Sequence, residues 1–267
     1  MLVHPNFDPV AVRIGPLAVH WYGLMYLLGF WGSWYLGTIR ARYPHVNWSR
    51  ERLGDFVFYV VLGVILGGRI GYTFFYNFDG FLQDPTVIFR IWEGGMSFHG
   101  GLSGVLIAMT LFAWKQHLAL LDVWDFGAVI VPFGLFTGRI GNFINGELWG
   151  APTNMPWGMV FPRAGPETRH PTMLYEAGLE GLAMLVILWI YARKPRPRGA
   201  ASALFLLLYA CFRTLVEFVR LPDAQIGYLF GTSWITMGMV LCVPMWIAGG
   251  IMWWWAHHGH HPVPAKA

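Results

Sequence analysis

The sequence predicts an all-α integral membrane protein, a bundle of about seven transmembrane helices with a small extracytoplasmic cap. Hydrophobic residues make up 56% of the 267 residues and charged residues only 12%, which is too apolar for an ordinary soluble domain of this length. Apolar windows recur along the chain, and basic residues gather beside alternate windows. Because no internal repeat or low-complexity linker divides residues 1–267, we expect a single integral membrane domain.

A spanning α-helix needs about 20 predominantly apolar residues. Seven windows come close to this length or exceed it, and each is expected to form one transmembrane helix. They cover residues 21–39, 53–75, 96–114, 120–137, 172–192, 201–219 and 234–255.

The basic residues predict the orientation of the chain. They follow the first, third and fifth windows, at Arg40, Arg42, Arg50, Arg52, Lys115, Arg193, Lys194, Arg196 and Arg198. If successive windows alternate in direction, all of these residues lie on one side, and short loops rich in Lys and Arg are typical of the cytoplasmic side. We therefore expect the N-terminus outside and the C-terminus in the cytoplasm.

One segment departs from the apolar pattern. Residues 150–170 mix Asn, Thr, Gly and Arg with several prolines, and proline interrupts a helix because it lacks an N–H donor and its ring clashes with the preceding turn. Residues 142–170 are therefore predicted to form the extracytoplasmic cap.

Small residues inside the windows are explained by packing. Gly63, Gly67 and Gly71 recur at every fourth position of the second window, which lets another helix approach closely. Cys211 and Cys242 both fall inside windows, where each acts as a small hydrophobe, and we expect no structural disulfide.

Tyr209, Arg213 and Glu217 share one face of the sixth predicted helix, because they are spaced four residues apart. Ionisable groups at membrane depth are costly and usually face a partner or a polar cavity. Two interpretations remain open. Arg213 and Glu217 form a structural ion pair, or Arg213 belongs to an anion site in which Glu217 orients the guanidinium.

A second group of polar residues ends the fourth window. Four glycines between residues 138 and 150 relax the backbone and let amides approach a ligand closely. Arg139, Asn142, Asn145 and Glu147 are crowded into the same stretch. Glycines in membrane helices also serve packing alone, but this concentration of polar side chains favours a functional site.

His99 begins the third window within the sequence EGGMSFHGG. An imidazole can accept a proton, donate a hydrogen bond or bind a metal, and a purely structural histidine is the alternative. No second ligand stands at metal-binding spacing around His99, so we expect no metal and no cofactor. The C-terminal histidines are interpreted as disordered polar sequence on the opposite face: His257, His258, His260 and His261.

The predicted topology brings the polar residues together. The outer half of the bundle is expected to hold Tyr22, His99, Arg139, Asn142, Glu147 and Arg213. Two arginines in one place indicate an anionic ligand, and a lipid phosphate is the anion that the bilayer supplies. The alternatives are a transporter or lipid flippase, which would carry polar groups on both halves and often repeats, and a structural scaffold. No nucleic-acid partner is expected.

Seven stretches of the chain carry a resemblance to a known family, namely HPNFDP, LGGRIGY, GGMSFHGG, GRIGNFINGELWG, RHPTMLYE, RKPRPRG and FRTLVEFVRLPDAQ. They resemble the prolipoprotein diacylglyceryl transferase family, whose signature is GRIGNFINGE. The resemblance implies a multi-pass enzyme of the bacterial cytoplasmic (inner) membrane. The implied reaction moves the diacylglyceryl group of phosphatidylglycerol to the thiol of the lipobox cysteine, next to the signal peptide of a prolipoprotein. A thioether forms and glycerol phosphate is released.

The resemblance also implies roles for individual residues. His99 matches the proposed general base, and Arg139 and Arg213 match residues that hold the lipid phosphate and its developing charge. Further matches are implied to bind substrate or to support the arginines, and they are Tyr22, Asn142, Glu147, Gly150, Tyr209 and Glu217.

Overall fold

The computed structural model describes residues 2–15, 17–222 and 226–258. Its helices are α1 (Trp21–Arg40), α2 (Arg50–Tyr76), α3 (Phe78–Gln83), α4 (Phe98–Lys115), α5 (Leu120–Asn145), α6 (Thr172–Glu176), α7 (Met184–Tyr191), α8 (Ala200–Glu217) and α9 (Met237–His258). A π-helical turn, Ala177–Ala183, joins α6 to α7. Short 3-10 helices cover Pro85–Phe89, Ile91–Glu93 and Pro162–Ala164.

Each of the seven predicted windows is largely helical. Five helices in the described part of the chain are long and apolar enough to cross a membrane, namely Arg50–Tyr76, Leu120–Asn145, Thr172–Tyr191, Ala200–Glu217 and Met237–His258. The other two windows correspond to α1, of 20 residues, and α4, of 18 residues. Glycine, Trp and Tyr lower the mean hydropathy of α1, and His99 and Lys115 lower that of α4.

The chain forms two compact units. Of the described residues, unit 1 contains those up to Leu36 and residues 125–258, and unit 2 contains Gly37–Trp124. The expectation of a single integral domain stays a prediction.

Unit 2 is built on close contact between α2 and α4. The stripe Gly63, Gly67 and Gly71 faces Gly100 and Gly104. A Cβ added at Gly67 would lie 2.4 Å from the carbonyl oxygen of Gly100, and one added at Gly63 would lie 2.6 Å from that of Gly104. The packing role predicted for these glycines is confirmed, because a side chain there would force the two backbones apart.

Unit 1 has its apolar core between α5, α7 and α8. Val129, Met184, Leu188 and Ala201 are buried at its centre. The carboxylate of Asp125 on α5 accepts hydrogen bonds from Gly199 N (2.6 Å), Ser202 N (2.8 Å) and Ser202 Oγ (2.7 Å). A carboxylate at this position satisfies the first N–H groups of α8 and complements the helix dipole.

Residues 150–170, predicted to lack a regular helix, contain two short strands that form a sheet with a strand near the N-terminus. β1 (Leu2–Val3), β4 (Met159–Val160) and β5 (Thr168–Arg169) form a sheet of order β1-β4-β5, in which β1 runs parallel to β4 and β4 antiparallel to β5. A separate hairpin pairs β2 (Val10–Ile14) with β3 (Leu17–His20).

The first four residues of the segment predicted as a cap are helical. Residues 142–145 are the last turn of α5, and the helix ends where Gly146 takes φ +62°. Their extracytoplasmic position, like that of the rest of residues 142–170, stays a prediction.

Cys211 and Cys242 are free cysteines. His257 and His258 form the end of α9, so the interpretation of the C-terminal histidines as disordered is wrong for these two. His260 and His261 lie outside the described residues.

Candidate active site

The polar stripe of α8 is part of a larger set of charges. Arg213 contacts Glu217 one turn away through Nη2 and Oε1, as the ion-pair interpretation predicts. It also donates from Nη1 to Glu176 Oε1 at 2.5 Å and lies 3.9 Å from Glu180 Oε1. Since one guanidinium serves three carboxylates from two parts of the chain, the pair is not a self-contained structural contact.

Glu176 is the centre of these charges. It ends α6 and contacts three arginines, Arg139 Nε at 3.0 Å, Arg213 Nη1 at 2.5 Å and Arg220 Nη1 at 2.9 Å. Glu180 lies four residues later in the π-helical turn, and its Oε2 is 3.6 Å from Arg139 Nη2. One carboxylate therefore joins α5, α6 and α8 with the residues that follow α8.

We call Arg139, Arg213, Arg220, Glu176, Glu180 and Glu217 the arginine–glutamate cluster. The carboxylates of this cluster are more deeply buried than its guanidinium groups. The side chains of the glutamates are 0–3% exposed and those of the arginines 14–20% exposed. A guanidinium has five N–H donors, so the arginines can bind the carboxylates behind them and still present donors at the accessible edge.

Glu217 is fixed from a second side by the chain that enters α9. Thr236 Oγ1 donates to Glu217 Oε2 at 2.5 Å and lies inside the protein. A Cβ added at Gly238 would lie 2.6 Å from the Glu217 carboxyl group. The carboxylate is thus held by α9 while it orients Arg213.

Gly150 connects the segment after α5 to the end of α8. It forms an antiparallel bridge with Arg220, and Ala151 N donates to Val219 O at 2.9 Å. A Cβ added at Gly150 would lie 2.4 Å from Val219 O. This glycine permits the close backbone contact beside Arg220.

In residues 142–148, at the end of α5, two side-chain amides surround one carboxylate. Asn142 Nδ2 donates to Glu147 Oε1 at 2.8 Å, and Asn145 Nδ2 reaches the same oxygen at 3.2 Å. Asn142 is 6% exposed. The left-handed backbone at Gly146 and Leu148, with φ +62° and +61°, turns Glu147 back toward α5.

His4 secures this turn from the N-terminal segment. Its Nε2 is 2.7 Å from Phe143 O, and its Nδ1 accepts from Asn6 N at 3.0 Å, which fixes the proton on Nε2. The ring is 3% exposed and stacks on Phe161 with ring centroids 5.4 Å apart. The buried histidine therefore has a structural role at the end of α5.

Residues 170–175 directly precede Glu176 and are fixed by hydrogen bonds to the segment after α5. His170 O accepts from Gly150 N at 2.8 Å, and His170 Nδ1 is 3.0 Å from Tyr175 Oη. Trp157 Nε1 donates to the same hydroxyl at 2.7 Å. Burial lowers the pKa of His170 below its ordinary value, because desolvation disfavours the imidazolium.

The two predicted tyrosines lie in different surroundings. Tyr22, in the first turn of α1, packs on Gly141 of α5, where an added Cβ would meet its ring at 2.9 Å. Its hydroxyl is 3.3 Å from that of Tyr26. Tyr209 is partly buried and packs against the apolar core of unit 1, one turn before Arg213.

His99 belongs to unit 2. It is the second residue of α4, after the N-cap Ser97 and Phe98, and its side chain is exposed. Its ring contacts Phe98 edge-on, with centroids 5.5 Å apart. Among the described residues, no three His, Cys, Asp or Glu side chains are arranged to hold a metal ion.

The family model for prolipoprotein diacylglyceryl transferase matches residues 9–255. The chain belongs to this family. A phosphatidylglycerol–prolipoprotein diacylglyceryl transferase of Pseudomonas paraeruginosa is 54% identical over 267 residues, the full length of both chains. One from Legionella pneumophila is 54% identical over 255 residues, 95% of this chain and 99% of the relative.

Membership of the prolipoprotein diacylglyceryl transferase family confirms three expectations from the sequence. The resemblance is confirmed, the chain is an all-α integral membrane protein, and it is a transferase of lipoprotein biosynthesis. The transporter and scaffold alternatives have no support from these relatives.

The sequence-predicted residues are only partly gathered by unit 1. The structure brings Arg139 and Arg213 to the same glutamates and joins Asn142 to Glu147. The sequence interpretation missed Glu176, Glu180 and Arg220. The two glutamates did carry a signal, since they are charged residues four apart inside an apolar window, as Arg213 and Glu217 are.

Proposed function

We propose that this prolipoprotein diacylglyceryl transferase family member moves the diacylglyceryl group of phosphatidylglycerol to the thiol of the lipobox cysteine of a prolipoprotein. The relatives are named for both substrates. The arginine–glutamate cluster carries the proposal, because it presents guanidinium groups over buried carboxylates inside a membrane protein. A lipid phosphate is the anion that such donors fit.

The reaction is a displacement at carbon. The cysteine sulfur attacks the carbon of the diacylglyceryl group that is esterified to the phosphate. The C–S bond forms, and the C–O bond to the phosphate breaks with its electron pair on oxygen. Glycerol phosphate leaves with one more negative charge than the phosphodiester had. The thiol proton passes to a base.

The arginines stabilise the charge that develops on the leaving group. A phosphodiester carries one negative charge, so donors placed for a second charge bind the transition state more strongly than the lipid. Arg139 and Arg213 hold the phosphate oxygens in this scheme, and Arg220 adds a third guanidinium. Glu176 and Glu217 keep these groups oriented in the absence of substrate.

His99 is assigned the thiol proton. A free cysteine has a pKa of about 8.5, which leaves little thiolate at neutral pH, and a base within reach raises the rate. The substrate supplies the nucleophile. The free cysteines Cys211 and Cys242 both lie in apolar helices and have no part in the step.

The remaining predicted residues are assigned to the lipid headgroup and to support of the arginines. The joined side chains of Asn142 and Glu147 offer hydrogen bonds to glycerol hydroxyl groups, with Tyr22 on the neighbouring helix. Gly150, Tyr209 and Glu217 act through their contacts with the residues around Arg213 and Arg220.

We further propose that the chain lies in the bacterial inner membrane with its N-terminus outside, its C-terminus in the cytoplasm and residues 142–170 outside. The basic residues after windows one, three and five support this orientation. Single cysteines introduced at Arg163 and Arg193, in a chain with serine at both native cysteines, should label from opposite sides with an impermeant thiol reagent. Labelling of both from the same side would refute the topology.

The function is tested by reconstituting the purified protein in vesicles with labelled phosphatidylglycerol and a lipobox peptide. We expect lipidated peptide and glycerol phosphate in equal amounts. A peptide with serine in place of the lipobox cysteine should give neither. Movement of the labelled lipid between leaflets without lipidated peptide would instead indicate a flippase.

A further inference from the structure

Arg69 is a buried cation that the proposed mechanism does not use. It lies on α2 and is 4% exposed. All three guanidinium nitrogens donate to main-chain carbonyls: Nε to Ile88 (3.1 Å), Nη1 to Gly95 (3.0 Å) and Gly94, and Nη2 to Arg90 (2.9 Å) and Val87. A buried charge needs such partners to replace water.

The five carbonyls lie on one short stretch, residues 87–95, which runs directly into α4. Gly94 and Gly95 both have left-handed backbones, with φ +82° and +80°. A Cβ added at Gly95 would lie 2.3 Å from the ring of Tyr72. The stretch is therefore wrapped closely around the guanidinium and the α2 surface beside it.

The next contact fixes the start of α4. Ser97 N donates to Gly68 O at 2.9 Å, one residue before Arg69. Ser97 Oγ accepts from Gly100 N at 3.1 Å, and Ser97 O accepts from Gly101 N at 2.9 Å. His99 lies between these anchored residues, so its backbone position depends on the contacts of residues 94–97 with α2.

We propose that Arg69 is a positioning residue for His99. Its guanidinium fixes the carbonyls of Gly94 and Gly95 and thereby sets the point at which α4 begins and from which the imidazole projects. This rests on the proposed role of His99 as the base. A displacement of about 1 Å at a reacting group can lower a rate about 100-fold, so the anchoring affects turnover as well as folding.

The side-chain chemistry distinguishes Arg69 from a simple buried charge. A planar guanidinium donates in several directions at once, whereas an ammonium is a compact point charge on a flexible stem. Arg69→Lys keeps the charge and cannot reproduce contacts with carbonyls on both sides of the fork. We expect Arg69→Lys to retain more activity than Arg69→Gln and less than the parent protein.

The first experiment is a double-mutant cycle in reconstituted vesicles, with labelled phosphatidylglycerol and a lipobox peptide. We expect Arg69→Gln to lower kcat about 10- to 100-fold with little change in KM for the lipid. His99→Ala should lower it by at least about 100-fold. The double variant should be no slower than His99→Ala, because two residues that act through one group do not have additive effects.

Arg90→Gln is the matched control. The Arg90 side chain forms partly exposed ion pairs with Asp84 and Glu93, so this variant should keep the parent rate.

The second measurement does not depend on activity. Hydrogen exchange of the amides of Ser97, Gly100 and Gly101 should be faster in Arg69→Gln than in the parent, while amides in the middle of α8 stay unchanged. Unchanged exchange at Ser97–Gly101 would overturn the anchoring by Arg69. Rate losses that multiply in the double variant would overturn its action through His99. Full activity of His99→Ala alone would refute the base itself, and that single variant reports it independently of Arg69.

Discussion

The guanidinium groups inside the two units have different hydrogen-bond partners. In unit 1, Arg139, Arg213 and Arg220 bind carboxylates and remain 14–20% exposed. In unit 2, Arg69 is 4% exposed and binds main-chain carbonyls. Carboxylates behind a guanidinium leave its outer donors for a ligand, whereas a ring of carbonyls uses them all. The partners of an intramembrane arginine thus indicate its role better than its depth does.

Arg213→Ala should have the largest effect in unit 1. We expect the transfer rate to fall about 1,000-fold, the loss typical of a donor that stabilises developing negative charge. Arg213→Lys should recover little, because a point charge cannot replace a planar fork. The rate is measured as lipidated lipobox peptide formed per mole of folded protein. An unchanged rate in Arg213→Ala would remove the residue from the phosphate site.

Glu176→Gln should be the next most severe change. The substitution removes the negative charge shared by three guanidinium groups, so the arginines repel one another and lose their orientation. We expect about a 100-fold lower rate and a destabilisation of about 3 kcal/mol, as for other broken buried pairs. Assay and thermal unfolding in detergent measure the two effects.

Glu167→Gln is the matched control for Glu176→Gln. Its carboxylate pairs with Arg169 at 2.8 Å but is 58% exposed, so we expect less than about 1 kcal/mol and no change in rate. Equal effects of the two substitutions would show that the shared contacts of Glu176 have no special importance.

In unit 2, Gly67→Ala should reduce stability. Its Cβ would lie 2.4 Å from Gly100 O, and forcing the helices apart costs about 1–3 kcal/mol. Gly54→Ala, on the same helix with no atom within 4 Å of the new Cβ, should be neutral or slightly stabilising. Thermal unfolding of both variants tests this, and an equal melting temperature for the two would contradict the close packing.

The smallest effect is expected at Asp84, outside the carbonyl ring of Arg69. Hydrogen bonds from Thr86, with the nearby Arg90 guanidinium, lower the pKa of the Asp84 carboxyl below its ordinary 3.8. A lowered folded-state pKa contributes stability above 3.8 that is lost as the pH falls through the folded-state value. Asp84→Asn should therefore melt slightly lower than the parent at pH 7, and the difference should disappear at strongly acidic pH. A difference that grows on acidification would contradict the sign.

Composition and period predicted the helices, because a spanning helix needs only length and apolar character. All seven windows are largely helical, and the glycine spacing on α2 correctly indicated close packing. The two-residue strands β1, β4 and β5 could not be predicted, because they are too short to show a period and pair residues far apart in the chain.

The candidate site was predictable where a residue stood near others in sequence. Asn142 and Glu147 are five residues apart, and Arg213 and Glu217 are four apart. Glu176 was missed because its three arginines come from positions 139, 213 and 220, and only the folded chain brings them together. Arg69 lies in the motif LGGRIGY, but its partners are main-chain carbonyls, which leave no side-chain signal in the sequence.

The division into units also bears on the order in which the protein is assembled. Within the described residues, unit 2 is one continuous stretch, Gly37–Trp124, whereas unit 1 combines the chain up to Leu36 with residues 125–258. Contacts close in sequence form with the smaller loss of chain entropy. During synthesis α2 and α4 can pair before α5 is complete, while α1 must wait for the second half of the chain. His99, the proposed base, would then be in place on α4 before the proposed phosphate site forms.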